Sequence, residues 1–502
     1  MTCARLLFLA ALASVPRAHA QDAPGPFALS EWRVPGRAIE AFSARDETGK
    51  ERVLVVSVEG SAPEERRYVS WLPEDRGAAR PVELPQAVVA LDAAELGLAP
   101  GPELVLVAAG EVRIVSAAGA TLRRDPLDPP LPLPPRTWEV ARHALVQDWD
   151  ADGRLEALLP AGSGARLHPL VAGDAPQTVA LPLIADYGSP SLDNWFRPGF
   201  LWGLVSWPTL ALADDDGDGR SDLYAANRFE LHVFRAGPAG LPAEPSARRR
   251  FPPFTEDEER RHTASTLHAF ARDLDGDGRA DLIVHRMVGS LMRSHTTTTF
   301  HKNAGDGPDP RGEPWSRLEN QGGTTAIQLA DLDGDGKSEI LEAHVPFGIV
   351  QAVRMLTLGR IEARLSVRAL PAAAGAPPVE TWSAEVSFPF DFDTSRILGV
   401  VPHTEADWNG DGFSDLCWGE GGGKLRFRLG ERRAAGPGYG AVVATVALPI
   451  SGDLVSADLD GDGLTDFVAH DPLDREGRVR IGMNRGTLPG TRAGLRAPEG
   501  ER

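Results

Sequence analysis

The chain has 502 residues, of which 42% are hydrophobic, 25% charged and only 7% aromatic, a balance that excludes a membrane bundle and a wholly disordered chain. Its 53 glycines and 42 prolines mark a turn-rich but folded protein. A formal charge of −19 offers no basic footprint for nucleic acid and raises the question of what neutralises so much acid.

Residues 1–20 read as a secretory signal peptide: Arg5, an apolar run from Leu6 to Val15, then Ala18-His19-Ala20 before Gln21. Export to the periplasm or beyond the cell is expected. The run is too short to span a bilayer, and no later segment reaches ~18 apolar residues, so no membrane anchor is expected. Removal of the signal leaves Cys417 as the one cysteine, which rules out an internal disulfide. Downstream, Ala38–Phe42, Val53–Val58 and Tyr68–Trp71 form a first set of alternating or apolar strands, and Ala87–Asp92, Glu103–Val107 and Val112–Val115 a second. Asp125–Arg136 is proline-rich and reads as a stiff connector.

Six segments then share one pattern. Acid or its amide falls at positions 1, 3, 5 and 9: Asp148, Asp150, Asp152 and Glu156; Asp214, Asp216, Asp218 and Asp222; Asp273, Asp275, Asp277 and Asp281; Asp331, Asp333, Asp335 and Glu339; Asp407, Asn409, Asp411 and Asp415; Asp458, Asp460, Asp462 and Asp466. Glycine stands at position 6 throughout, where a sharp turn is needed. Alternate side chains of a tightly curled loop converge, and carboxylates so close repel one another unless a cation lies between them. A hard cation wanting six to eight oxygens fits, with a backbone carbonyl from position 7 (Arg154, Arg220, Arg279, Lys337, Phe413 and Leu464). Ca²⁺ suits such a loop better than Mg²⁺, and Zn²⁺ or copper would want His or Cys. About six Ca²⁺ sites are expected.

The loops are not EF-hands. Position 12 carries Leu159, Ala225, Val284, Glu342, Trp418 and Ala469, so five of six lack the bidentate acid, and strands rather than helices flank them. Each unit reads as strand, loop, strand, followed by a glycine turn and an alternating third strand such as Glu230–Phe234, Lys424–Arg428 or Arg478–Ile481. On these residues the chain resembles the FG-GAP/VCBS repeat family, whose repeats also build the propellers of integrin alpha chains. The resemblance covers residues 38–485 and implies an all-β propeller with a Ca²⁺ site between the first two strands of each matching blade, although the FG…GAP signature itself is poorly kept. Six loop units and two degenerate ones predict eight blades, with seven as the alternative. The last unit has three clear strands, and Phe27–Val34 is expected to supply its outer strand. The propeller is thus placed at residues 27–485 and a disordered tail at 486–502.

Catalytic motifs are scarce. Gly419–Lys424 has neither the spacing nor the following helix of a phosphate loop. His285, His344 and His470 fall four or five residues after the position-9 acids, where they either line the mouth of the central channel or bond to neighbouring turns. An aromatic insert, residues 187–207, carries Tyr187, Trp195, Phe196, Phe200, Trp202 and Trp207. Its rings either stack on sugars or peptides, Trp195 and Trp202 foremost, or plug a gap between blades. The reading is an exported calcium-binding propeller, monomeric, acting as a binding or scaffold module for a protein or glycan. The alternatives are a lectin-like propeller using the insert, and a hydrolase or lyase with a channel-mouth histidine.

Overall fold

Runs such as Leu54-Val55-Val56 and Leu282-Ile283-Val284 are apolar at every position, and each forms a strand buried on both faces. The structure, a computed structural model, describes residues 25–492 apart from 62–63, 73–79, 133–139, 163, 172–174, 189–201, 257, 259–264, 291–292, 392–395, 421–422 and 449–451. It is an eight-bladed β-propeller of antiparallel sheets, each four-stranded except for a short fifth strand, Arg396–Ile397, in blade 6. The innermost strands, in blade order, are Arg37–Arg45, Val88–Ala94, Val146–Gln147, Thr209–Ala213, Thr266–Arg272, Thr324–Ala330, His403–Ala406 and Asp453–Ala457. Eight blades rather than seven is therefore the outcome.

Strand alternation builds the ring. In each second strand, successive side chains point to opposite neighbours: Leu54 and Val56 pack toward blade 2, Val53 and Val55 toward blade 8. The same partition puts Leu282 and Val284 against blade 4 and Ile283 against blade 6. Every one of the eight hydrophobic clusters bridges one pair of adjacent blades, so the core is distributed between blades.

Phe27–Arg33 pairs antiparallel with Arg478–Asn484 and completes blade 8, as the sequence predicted. Phe27 stacks on Phe427 at 4.8 Å and meets Trp408 and Phe467 edge-on. The packed chain runs past the expected boundary at 485. Leu488 lies in the core between blades 7 and 8, because the turn after Asn484 folds back over the blade 7 loop.

The six acidic loops all join first to second strands and so share one end of the disc. The opposite end holds the turns between second and third strands, including the one helix among the described residues, Ile349–Leu358. The aromatic insert begins and ends as a hairpin of Ile184–Gly188 with Trp202–Ser206. Trp195, Phe196 and Phe200 lie outside the described residues; Trp202 pairs with Gly188 through its backbone, and Trp207 is exposed.

Candidate functional site

Each acidic loop is a cage of backbone N–H groups around its first carboxylate. The Asp273 oxygens accept from Gly276 N at 2.8 Å and Gly278 N at 2.9 Å. Asp214, Asp331, Asp407 and Asp458 repeat this pair of bonds with the glycines at positions 4 and 6. Asp148, in the loop with Ala151 at position 4, accepts from Asp152 N and Gly153 N. The position-5 carboxylate of all six loops accepts the N–H of position 7 (Arg154, Arg220, Arg279, Lys337, Phe413 or Leu464).

The position-9 acid is the buried wall of the loop. Glu156, Asp222, Asp281, Glu339, Asp415 and Asp466 each accept the N–H of position 2 at 2.7 to 3.2 Å. In four blades the other oxygen accepts a backbone N–H from within or just past the third strand, at Ala236, Asn303, Gly430 or Asn484. Burial pushes all six carboxyls up, nearby loop carboxylates add to it, and the backbone bonds only partly oppose it. Asp222 rises to about 6, Asp281, Glu339, Asp415 and Asp466 to about 7, and Glu156 to about 8.

In five loops the acids converge. One oxygen from each of Asp148, Asp150 and Glu156 lies within 4.8 Å of the others, as do those of Asp214, Asp216 and Asp218; Asp273, Asp275 and Asp281; Asp331, Asp333 and Glu339; and Asp458, Asp460 and Asp466. Two position-3 oxygens, Asp275 Oδ1 and Asp333 Oδ1, are buried without any hydrogen-bond partner. A buried carboxylate oxygen left so is costly, and an all-oxygen cluster around it fits a hard divalent cation. In the sixth loop Asn409 is buried, and its amide donates to Asp411 at 2.9 Å and to the Pro489 carbonyl at 3.2 Å. That amide bridges the loop to the segment after blade 8, a use that a carboxylate could not serve.

Neighbouring loops are linked. Ala280 N donates to the Asp214 carbonyl at 2.6 Å, Ser338 Oγ to that of Asp273 at 3.2 Å, and Thr465 Oγ1 to that of Asp407 at 2.8 Å. Ser414 N reaches the Leu332 carbonyl at 3.0 Å, which continues the series from blade 4 to blade 8. Blades 1 and 2 fill the same place differently. Asp46 accepts from Thr48, Lys50 and the Arg52 guanidinium, and fully buried Glu103 accepts the N–H groups of Leu96, Leu98 and Ala99. Glu103 was not singled out in the sequence, although it stands one residue before a buried apolar side chain, Leu104, just as the six position-9 acids stand before Ala157, Leu223, Leu282, Ile340, Leu416 and Phe467.

The three histidines occupy separate blades. His285 Nδ1 sits 2.9 Å from Thr298 Oγ1 and the ring also bonds to the backbone of Thr325 in blade 6. His344 Nδ1 lies 2.9 Å from Thr325 Oγ1, and His470 is buried opposite Asp453 with neither ring nitrogen hydrogen-bonded. Burial pushes all three imidazoles down, toward the neutral form.

Residues 273–342 match the model of the FG-GAP-like repeat, a span that runs from the start of the blade 5 loop to just past the blade 6 loop. This chain is a β-propeller that carries an FG-GAP-like repeat across blades 5 and 6. No curated protein matches it. Solved structures similar to the propeller include Sqt1 from Chaetomium thermophilum, 12% identical with a TM-score of 0.43 over 92% of this chain and 99% of that one. The V. cholerae biofilm matrix protein Bap1 is 13% identical with a TM-score of 0.34, over 92% and 85%. The WD40 domain of Toxoplasma gondii coronin is 9% identical with a TM-score of 0.38, over 92% and 87%. Among the described residues of the propeller, no helix is long and apolar enough to cross a membrane.

Proposed function

We propose that this propeller is an exported binding or scaffold module whose acidic loops hold Ca²⁺. The observation that carries the calcium reading is the convergence of three carboxylates in each of five loops, with Asp275 Oδ1 and Asp333 Oδ1 buried and unsatisfied. The ligands would be the acids of positions 1, 3, 5 and 9 with the position-7 carbonyl; Asn409 would offer its amide oxygen in the sixth loop. The ion's part is electrostatic. It neutralises carboxylates that otherwise repel one another and fixes the turn between first and second strands.

Binding is the role proposed for the disc, and a protein or glycan ligand is the expected partner. Calorimetric titration with Ca²⁺ and thermal melts with and without EGTA test the calcium reading. Taking ~10⁻⁴ M for extracellular-type sites and ~1 mM Ca²⁺, each site should contribute roughly 1.4 kcal/mol. An absent heat together with an unchanged midpoint would sink it.

A further inference from the structure

On the loop end of the disc, blades 5, 6 and 7 enclose a cavity of about 760 Å³ lined by four carboxylates and four cations. Its walls are Trp315, the turn at 369–374 and the blade 7 hairpin at 432–437. Two of the cations sit on position-3 acids of the loops. Lys302 pairs with Asp275, and Arg432, from the next blade, reaches Asp333 Oδ2 at 2.6 Å. Asp333 is 4% exposed while Arg432 is 59% exposed, so the guanidinium is the free-moving partner. Lys302 Nζ also lies 5.7 Å from the Trp315 ring centroid.

We infer that this cavity is a calcium-dependent binding site for an anionic saccharide, an inference that rests on the calcium reading above. Without metal, the four acids and four cations of the wall cancel formally, with Lys302 on Asp275, Arg432 on Asp333 and Lys337 on Asp335. A divalent ion held by Asp273, Asp275 and Asp281, and another held by Asp331, Asp333 and Glu339, would offset four of the six charges on those carboxylates, so that the four side-chain cations of the wall outweigh the acid that remains. Each ion also displaces a side-chain cation from the carboxylate it takes. Lys302 remains over Trp315, and Arg432 turns on its flexible stem toward the cavity. Both are then cations in want of an anion. The volume lies within the range of small-ligand pockets, and half-buried Trp315 supplies the apolar surface against which a sugar ring packs.

Calorimetry on the full chain decides it, with a uronic-acid disaccharide and a sulfated disaccharide as probes and their neutral parent as control. Each probe distinguishes one source of the anion. At least one anionic probe should bind in millimolar Ca²⁺ about tenfold or more tighter than in EGTA, and tighter than the neutral parent by a similar factor, the worth of one charged contact. Lys302→Gln and Arg432→Gln should each weaken that binding by about tenfold with the melting temperature in Ca²⁺ unchanged. Arg432→Gln should also tighten Ca²⁺ binding a few-fold at the blade 6 loop, because the competing cation has gone. Equal affinity for the neutral parent, equal affinity in EGTA, or variants that bind both probe and Ca²⁺ as the parent protein does would overturn the inference while leaving calcium binding standing. A chain that takes up no Ca²⁺ would remove the calcium reading and this inference with it.

Discussion

Ala151 occupies position 4 of the first acidic loop with φ of 58°, where the other five loops have glycine with φ between 69° and 80°. A residue with a Cβ in the left-handed region is disfavoured by roughly 1–2 kcal/mol, and a glycine in the unfolded chain gives back roughly 0.4–1 of that. Ala151→Gly should therefore raise stability by roughly 0.5 kcal/mol, read as a small increase in denaturation midpoint. Asp46 makes a prediction of a different kind. Burial pushes its carboxyl up, but bonds from Thr48, Arg52 and Lys50 together outweigh that and bring it down to about 2 from an ordinary 3.8. The folded value lies below the unfolded one, so the contribution is present above pH 3.8 and is lost as the pH falls through 2. Asp46→Asn should cost about 1 kcal/mol at neutral pH, solvent screening allowed for, and little at the acid end of that window. A cost that does not shrink in acid melts would point to packing rather than charge.

At the scale of the loop, the position-9 acids reverse this sign. Their folded values, between about 6 and about 8, lie above the ordinary 3.8 or 4.5, so the folded chain holds more protons across that window. Stability in EGTA should fall as pH rises from about 4 to about 7, and Ca²⁺, which binds the ionised form, should cancel or reverse the fall. A melting temperature in EGTA that climbs over this range would contradict it. These loops were legible in the sequence because their ligands lie within nine residues and recur. What the sequence could not show are the partners from elsewhere: Lys302 is 27 residues from Asp275, and Arg432 is 99 from Asp333. Only the packing of blade 7 against blade 6 brings the second pair together. The part played by Asn409 was hidden for the same reason, since its amide reaches Pro489, 80 residues on.

At the scale of the whole molecule, the blade count was readable from eight strand sets, and closure by Phe27–Val34 from the missing fourth strand of the last set. The histidines were harder. Spacing alone placed them at strand ends, and the bond of His285 to the backbone of Thr325 depends on the packing of blade 5 against blade 6. The closing strand gives the fourth prediction. Phe27 is 5% exposed among Trp408, Phe427 and Phe467, and Phe27→Ala should cost about 3–5 kcal/mol in denaturant unfolding. A loss under 1 kcal/mol would mean that the strand, not the ring of aromatics, makes the closure.

That closure also bears on how molecules meet one another. Glu31 and Arg480 are ion-paired across 449 residues of chain, and shutting a loop of that length costs about 5 kcal/mol of chain entropy. The first seven blades are each built from one continuous stretch, whereas blade 8 keeps an unpaired edge until Phe27–Arg33 returns to it. In a crowded solution, that edge accepts the same strand from a neighbouring molecule on equal terms, since every contact it offers is identical. Concentrated refolding should therefore yield strand-exchanged dimers and chains of propellers, which dilution during folding would suppress.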